Sequence, residues 1–402
     1  MPHPPDVDPD NRLAIHGGRP VRERVLPYGR QTIDDSDVAA VVAVLRSDWI
    51  TTGPTVAAFE EAVAGIVHAR HAVSFSSGTA ALHAAVFAVG LASGDEAITT
   101  PLTFCATANA VLYQGATPIF ADVLDDTLTI DPDEVARRIT PRTKAILPVD
   151  YAGHPADLDA LLALADRHGL VIIEDAAHAL GATYHGRPVG SISHLSVFSF
   201  HPVKHLTTGE GGMVTTDHAG LARRLRLFRN HGIDSDARAR QTAGTWFYEM
   251  EALGFNYRLT DIASALGLAQ VPRLEANVAR RRAIAARYRE VLAGVPGLTL
   301  PQVAAGVSPA WHLYPVRVQP PVDRGDVFRA LRAEGLGVNV HYIPVHLHPY
   351  YRGRFGDRAG AHPRAEAAYQ QLISLPMFHG MTDSDVADAT AAVTKVMAYY
   401  HP

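Results

Sequence analysis

Between residue 34 and about residue 220 the chain switches repeatedly between two apolar periods. Asp35–Leu45 sets Val38, Val41, Val42 and Leu45 at helical spacing behind acidic residues in its first turn, which predicts an amphipathic helix. Short apolar runs at residues 96–100, 117–123, 145–149, 170–173 and 195–200 read as strands. Residues 157–168 place Leu158, Leu161, Leu162 and Leu164 on one helical face and stop at Gly169, just before the next strand-like run. This alternation predicts an α/β architecture with a mainly parallel sheet and helices on both faces. Ligands of such sheets collect at the carboxyl ends of the strands, and Asp175, Ser199 and the loop bearing Lys204 all fall just past such ends.

Beyond Asp261 the texture changes. A long helical stretch at 261–292, carrying Arg280, Arg281 and Arg282, leads into a smaller α/β unit. That unit has β-like residues 312–318, a helix from about Arg324, an extended segment at 337–341 and a final helix around Asp383–Tyr400. The expected organisation is a disordered, Pro- and Asp-rich tail at 1–11, a large domain at 12–270 and a small C-terminal domain at 271–402. With 402 residues, 47% hydrophobic and 19% charged, the chain can bury cores of that size.

A formal net charge of −5 without a long basic run gives no electrostatic case for nucleic acid or a membrane surface. The single cysteine, Cys105, excludes an intrachain disulfide. With no apolar stretch of about 20 residues and no signal-like start, the chain reads as cytoplasmic. Although His341, His346 and His348 lie close together among 21 histidines, no HExxH or CxxC signature accompanies them, and no metal site is expected.

Two stretches carry the candidate chemistry. Asp175 closes an apolar run in Ile173-Glu174-Asp175-Ala176-Ala177-His178, and Lys204 follows 29 residues later in a loop between two β-like runs. That order looks like a pyridoxal phosphate site: Asp175 would keep the pyridine nitrogen protonated and Lys204 would form the Schiff base. Ser76-Ser77-Gly78-Thr79-Ala80-Ala81 puts small residues at a helix start, where free N–H groups and the helix dipole favour an anion such as the cofactor phosphate. Ser199 would add a hydroxyl to the same phosphate, and Phe104 is a candidate to stack on the pyridine ring.

From Tyr28 to about Tyr400 the chain resembles the DegT/DnrJ/EryC1/StrS sugar aminotransferases, which have fold type I like aspartate aminotransferase. The resemblance rests on Tyr28-Gly29-Arg30-Gln31, Ser47-Asp48-Trp49-Ile50-Thr51-Thr52-Gly53-Pro54, Ser77-Gly78-Thr79, Glu174-Asp175-Ala176-Ala177-His178, the lysine loop and Gly254-Phe255-Asn256-Tyr257-Arg258-Leu259-Thr260-Asp261. Asp150-Tyr151-Ala152-Gly153-His154-Pro155 and Phe228-Arg229-Asn230-His231-Gly232 are most similar to the pseudaminic acid branch, whose enzymes aminate C4 of a UDP-linked 4-keto-6-deoxy-N-acetylhexosamine.

The resemblance implies that Lys204 carries the cofactor, Asp175 partners its ring nitrogen and His178 sits beside the ring and its phenolic oxygen. Gly78, Thr79 and Ser199 would hold the phosphate, joined by Asn256 from a neighbouring subunit, which makes a homodimer the minimal unit. Tyr28, Trp49, Ile50, Thr51, His341, Tyr342 and Pro344 match positions lining the nucleotide-sugar pocket, and Arg258 is a candidate for a carboxylate or diphosphate or for a structural role. L-glutamate is the implied amino donor. A cyclitol ketose or a dTDP-linked keto sugar remains an alternative substrate, and a noncatalytic sensor or scaffold an alternative of another class. A dehydratase of the same family would carry histidine where Lys204 stands.

Overall fold

Seven strands build the central sheet: β1 (His71–Phe75), β2 (Glu96–Thr99), β3 (Thr117–Phe120), β4 (Thr143–Leu147), β5 (Val171–Asp175), β6 (Leu195–Ser199) and β7 (Gly212–Thr216). Their spatial order is β1-β7-β6-β5-β4-β2-β3 in the computed structural model, which describes residues 12–235, 237–356 and 358–401. The tail expected at 1–11 lies outside the described residues. Strands β2 to β6 pair in parallel, and only β7 runs the other way, antiparallel to β6 and to β1. Residues 200–211 therefore form a hairpin-like connection at the carboxyl end of β6. Phe200 N–H donates to Gly211 C=O at 2.9 Å and Thr208 N–H to Phe200 C=O at 3.0 Å across its base.

The near-continuous apolar runs of the inner strands follow from burial on both faces. Ile98, Ile146 and Ile172 pack against Leu158, Leu161 and Leu164 of the helix Leu158–His168, while Ala97, Ala145 and Ile173 face Ala81, Leu82 and Ala85 of the helix Gly78–Ala88. Neighbouring residues point to opposite faces because the strand period is two. The helix Leu158–His168 is capped by the Asp157 side chain and ends at Gly169 in a left-handed turn with φ 65°.

A second, antiparallel sheet of β8 (Leu298–Thr299), β9 (Tyr314–Val318) and β10 (Leu372–Leu375) has β9 at its centre. Its core joins Tyr288, Tyr314, Val316, Ile373 and Val393 with Leu13 and Leu26, so the described N-terminal segment packs with the C-terminal elements. The helical stretch at 261–292 is broken into Asp261–Gln270, a 3-10 turn Val271–Arg273 and Leu274–Leu292. Pro272 explains the break, since it lacks the N–H an uninterrupted helix would use. The extended segment at 337–341 joins the small sheet through a single bridge, Asn339 to Ser374.

Asp261 links two helix starts. The helix Pro54–Val67 begins after Gly53, which has no side chain to cap it. Buried Asp261 accepts from Gly53 N–H at 2.6 Å and Thr55 N–H at 2.9 Å. Glycine is required there, because a Cβ at residue 53 would stand 2.5 Å from Trp49 Cβ and 2.7 Å from Asp261 Oδ1. Asp261→Ala should orphan those amides and lower stability by about 1–3 kcal/mol, with Asp261→Asn losing less. Chemical denaturation measures this, and an unchanged midpoint in Asp261→Ala would show that water replaces the cap.

Candidate active site

The carboxyl ends of β1, β5 and β6 open into a cavity of about 600 Å³. Asp175, His178, Lys204 and Ser199 face it from the sheet side, with Gly78 and Thr79 at the adjacent helix start. Tyr28, Phe104, His341 and Tyr342 complete the set of expected residues on its walls. The remaining expected residues stand outside this cavity in the single chain. Thr51 bridges to Thr260, Asn256 bridges to Asn230, and Arg258 donates to Asn230 Oδ1 at 2.9 Å. Trp49 lies on the chain segment before Thr51, Ile50 is exposed, and Pro344 opens the turn in which Val345 N–H donates to Pro101 C=O at 2.8 Å.

Asp175 closes β5 with its carboxylate in the cavity. Thr107 Oγ1 donates to Oδ2 at 2.6 Å and Ala177 N–H to Oδ1 at 3.2 Å. Burial raises its pKa above the ordinary carboxylate value, while these donors and the charge on Lys204 pull the other way. Thr107 left no mark in the sequence pattern, since its contact depends on where the helix Ala106–Tyr113 packs against the sheet.

Two further acids lie behind Asp175 with no exposed surface: Glu174, the preceding residue on β5, and Asp150, just after β4. Glu174 accepts from Ser196 Oγ, and Asp150 Oδ1 accepts from Ala156 N–H at 3.1 Å. Asp150 Oδ2 and Glu174 Oε1 are buried without a hydrogen-bond partner. Burial, then the charge of Glu174, pushes the Asp150 pKa well above its usual range, and burial also raises that of Glu174.

Lys204 reaches the cavity from the β6–β7 connection, its loop turned by Lys204 N–H donating to His201 C=O at 2.9 Å. Its amine lies 3.5 Å from His312 Nε2. Burial lowers the Lys204 pKa to about 7, Asp175 opposing and Arg281 adding to the shift. Four imidazoles surround it, and burial pushes His178, His205, His312 and His341 below the usual histidine value, which keeps them neutral near pH 7. His178 Nε2 lies 3.1 Å from Tyr342 Oη, and its ring centroid lies 4.3 Å from that of His312 with the planes tilted by 34°. His312 and His205 belong to this group although the sequence reading singled out neither for it.

The residues fit pyridoxal phosphate. Ser77 caps the helix Gly78–Ala88 by accepting from Ala80 N–H at 3.1 Å, which leaves the first-turn amides of Gly78 and Thr79 without an acceptor inside the helix. A Cβ on Gly78 would stand 3.0 Å from Ser199 Cβ, so the glycine lets the serine hydroxyl lie against that turn and form an anion cradle. Buried His178 Nδ1 has no partner, a free polar atom for the ring's edge.

The raised pKa of Asp150 has a measurable consequence. A group whose folded pKa is raised stabilises fully below its unfolded pKa, and that contribution is lost as pH rises through the folded value. Asp150→Asn replaces this carboxyl with a neutral donor. Its urea midpoint should therefore gain on the wild type as pH rises above about 4, with little difference at the acid end. Midpoints that run parallel as pH rises would rule out the raised pKa of Asp150.

A profile of the DegT/DnrJ/EryC1/StrS aminotransferase family matches residues 31–394. The spore coat polysaccharide biosynthesis protein SpsC of Bacillus subtilis is 43% identical over 381 residues, 94% of this chain and 98% of that protein. Helicobacter pylori PseC, an aminotransferase involved in the biosynthesis of pseudoaminic acid, superposes with a TM-score of 0.87 at 32% identity, covering 94% of this chain and 100% of that one. Spr1654 from Streptococcus pneumoniae, solved in its PLP form, gives 0.87 at 30% identity over 93% of this chain and 99% of that one. With cavity, cradle and sequence in agreement over nearly the full length, the chain belongs to the DegT/DnrJ/EryC1/StrS aminotransferase family and is a pyridoxal-phosphate-dependent sugar aminotransferase.

Proposed function

We propose that this enzyme moves the amino group of L-glutamate to the keto carbon, C4, of a UDP-linked 4-keto-6-deoxy-N-acetylhexosamine. Lys204 serves as covalent anchor and proton carrier, and Asp175 as partner of the cofactor's ring nitrogen. The observation that carries the reading is the convergence of Lys204, Asp175, and the Gly78 turn beside Ser199 on one cavity. When bound, pyridoxal phosphate supplies an electron sink for the pair left when the donor's α-carbon loses its proton.

The chain's own groups do the rest. Asp175, desolvated and oriented by Thr107 and Ala177, holds a proton on the ring nitrogen, because a cation docked there offsets the cost of burying the carboxylate. The Lys204 amine, lowered to about 7, takes and returns a proton near neutral pH with little driving force lost in either direction. Gly78, Thr79 and Ser199 would hold the phosphate, and the unpartnered His178 Nδ1 would be free to meet the phenolic oxygen. Tyr28, His341 and Tyr342 form the sugar-facing wall, and Phe104, more than half exposed and 6.1 Å from the Tyr342 ring, covers the cofactor ring from outside.

A second copy of the chain belongs to this reading. Trp246, Tyr248, Met250 and Leu253 form an exposed apolar run, Trp246 at 84% and Leu253 at 77%, suited to a partner surface. The run precedes Asn256, which reaches the cofactor phosphate of the partner in this assignment. Trp49, Ile50, Thr51, Arg258 and Pro344, outside the chain's own cavity, contribute to the nucleotide side of the assembled sites.

Similarity to PseC and the Asp150–Pro155 and Phe228–Gly232 motifs support the UDP-hexosamine substrate. The same reaction on a cyclitol ketose or a dTDP-linked keto sugar is the second reading. SpsC, 43% identical against 32% for PseC, is named for spore coat polysaccharide biosynthesis rather than for pseudoaminic acid, which supports testing a different ketone.

Lys204→Ala should lose the absorbance at about 420 nm expected of a protonated pyridoxal imine, together with turnover. Full activity in that variant would remove Lys204 from the mechanism. Incubation with glutamate and a panel of UDP- and dTDP-keto sugars and cyclitol ketones, read by product mass and NMR, should yield a 4-amino UDP-hexosamine. Amination of a different ketone alone would favour the second reading, and nitrogen transfer to none would refute both.

A further inference from the structure

Three consecutive arginines project from the helix Leu274–Leu292, and each binds main-chain carbonyls. Arg280 donates to Met381 C=O at 2.7 Å and pairs with Asp383 at 2.8 Å, while Arg282 donates to Gly181 and Pro309 C=O at 2.9 and 3.1 Å. Arg281 differs from its neighbours in having no exposed surface, and no carboxylate pairs with it among the described residues.

A guanidinium withdrawn from water without a counter-ion is costly unless its N–H groups are satisfied. Nη1 donates to Met377 C=O at 3.0 Å, Trp311 C=O at 3.2 Å and His312 C=O at 3.4 Å, and Nη2 donates to Val203 C=O at 3.3 Å. Nε remains unpartnered. Val203 precedes Lys204, Trp311 and His312 lead into β9, and Met377 follows β10. One planar side chain thus ties the lysine loop of the central sheet to both long strands of the small sheet. Its fork geometry suits convergent carbonyls better than a lysine would.

We propose that Arg281 is a positioning residue for Lys204: it clamps the lysine loop to the His312 segment, and its uncompensated charge disfavours a second cation at the Lys204 amine. The inference rests on the reading of Lys204 as cofactor anchor. Around that amine Asp175, at the end of β5, favours the ammonium, and Arg281 opposes it. The neighbouring imidazoles of His178, His205, His312 and His341 are held neutral by burial, as is His379 close to Arg281. An amine joins an aldehyde through its lone pair: the N–C bond forms and the aldehyde oxygen leaves as water, so only the deprotonated lysine can react.

The chain holds only three lysines, Lys144, Lys204 and Lys395, which allows each to be followed separately. Full-length protein freed of cofactor is reductively methylated with formaldehyde from about pH 6 to about pH 10, and labelling is read by peptide mass spectrometry with Lys144 as internal reference. Wild-type Lys204 should reach half-labelling at about pH 7. In Arg281→Gln, which removes the charge but keeps a donor, that midpoint should rise by roughly one pH unit. Arg281→Lys cannot reach Val203 and Met377 together. It should need roughly tenfold more pyridoxal phosphate to protect Lys204 from methylation, the fold-change expected of a lost clamp.

An unchanged Lys204 midpoint in Arg281→Gln overturns the electrostatic role, and wild-type protection in Arg281→Lys overturns the clamp. The second measurement decides alone if the glutamine variant does not fold. Failure of the cofactor to protect Lys204 in the wild type would instead refute Lys204 as anchor, so the two failures are distinct.

Discussion

An amine and a carboxylate lose most of their water at one end of a single sheet, and the surrounding structure manages that cost. Burial drives the Lys204 pKa down to about 7 and that of Asp175 up, each opposed by the charge of the other. The arrangement depends on where strands end. Asp175 closes β5 and Ser199 closes β6, while the reversal of β7 turns the intervening loop back over the same edge with Lys204 on it. Four neutral imidazoles around the amine add polar contacts without charge. The amine therefore stays nucleophilic at a pH where an exposed lysine would be protonated.

The cavity is completed by segments far away in the chain. His312, His341 and Tyr342 come from the C-terminal elements, and Tyr28 follows Leu26, which is buried in the core of the small sheet. Arg281 and the Tyr151 hydroxyl, which donates to His341 C=O at 2.6 Å, fasten these segments to the central sheet. Displacement of the small sheet would thus alter the cavity wall formed by Tyr28, His341 and Tyr342 while leaving the Gly78 and Ser199 turn in place, since that turn is built wholly on the central sheet and its helix.

Acids in the interior divide by role. Asp261 spends its burial on two backbone amides at the start of another helix, and Glu60 similarly gathers Ser74 N–H at 2.8 Å and the Arg229 guanidinium. Asp150 and Glu174 instead lie buried beside each other, and burial raises the pKa of both, which limits the negative charge behind Asp175. Motif positions such as Arg229 and Asp261 are therefore fastenings of the fold, even though they stand in stretches that also contain candidate site residues.

The sequence by itself determined the layered architecture, since apolar period and strand length follow from local geometry and two-sided burial. It also determined the order carboxylate, serine, lysine and the small-residue turn at Gly78, because each needs only a strand end or a helix start to be recognised. Tertiary structure alone decided that Thr107 orients Asp175, that His312 stands beside Lys204, that Arg281 reaches the lysine loop and that Arg258 meets Asn230 within its own chain. Those contacts join residues whose separation in sequence carries no periodic signal. They exist because buried donors and acceptors must find partners once the sheets and helices have packed.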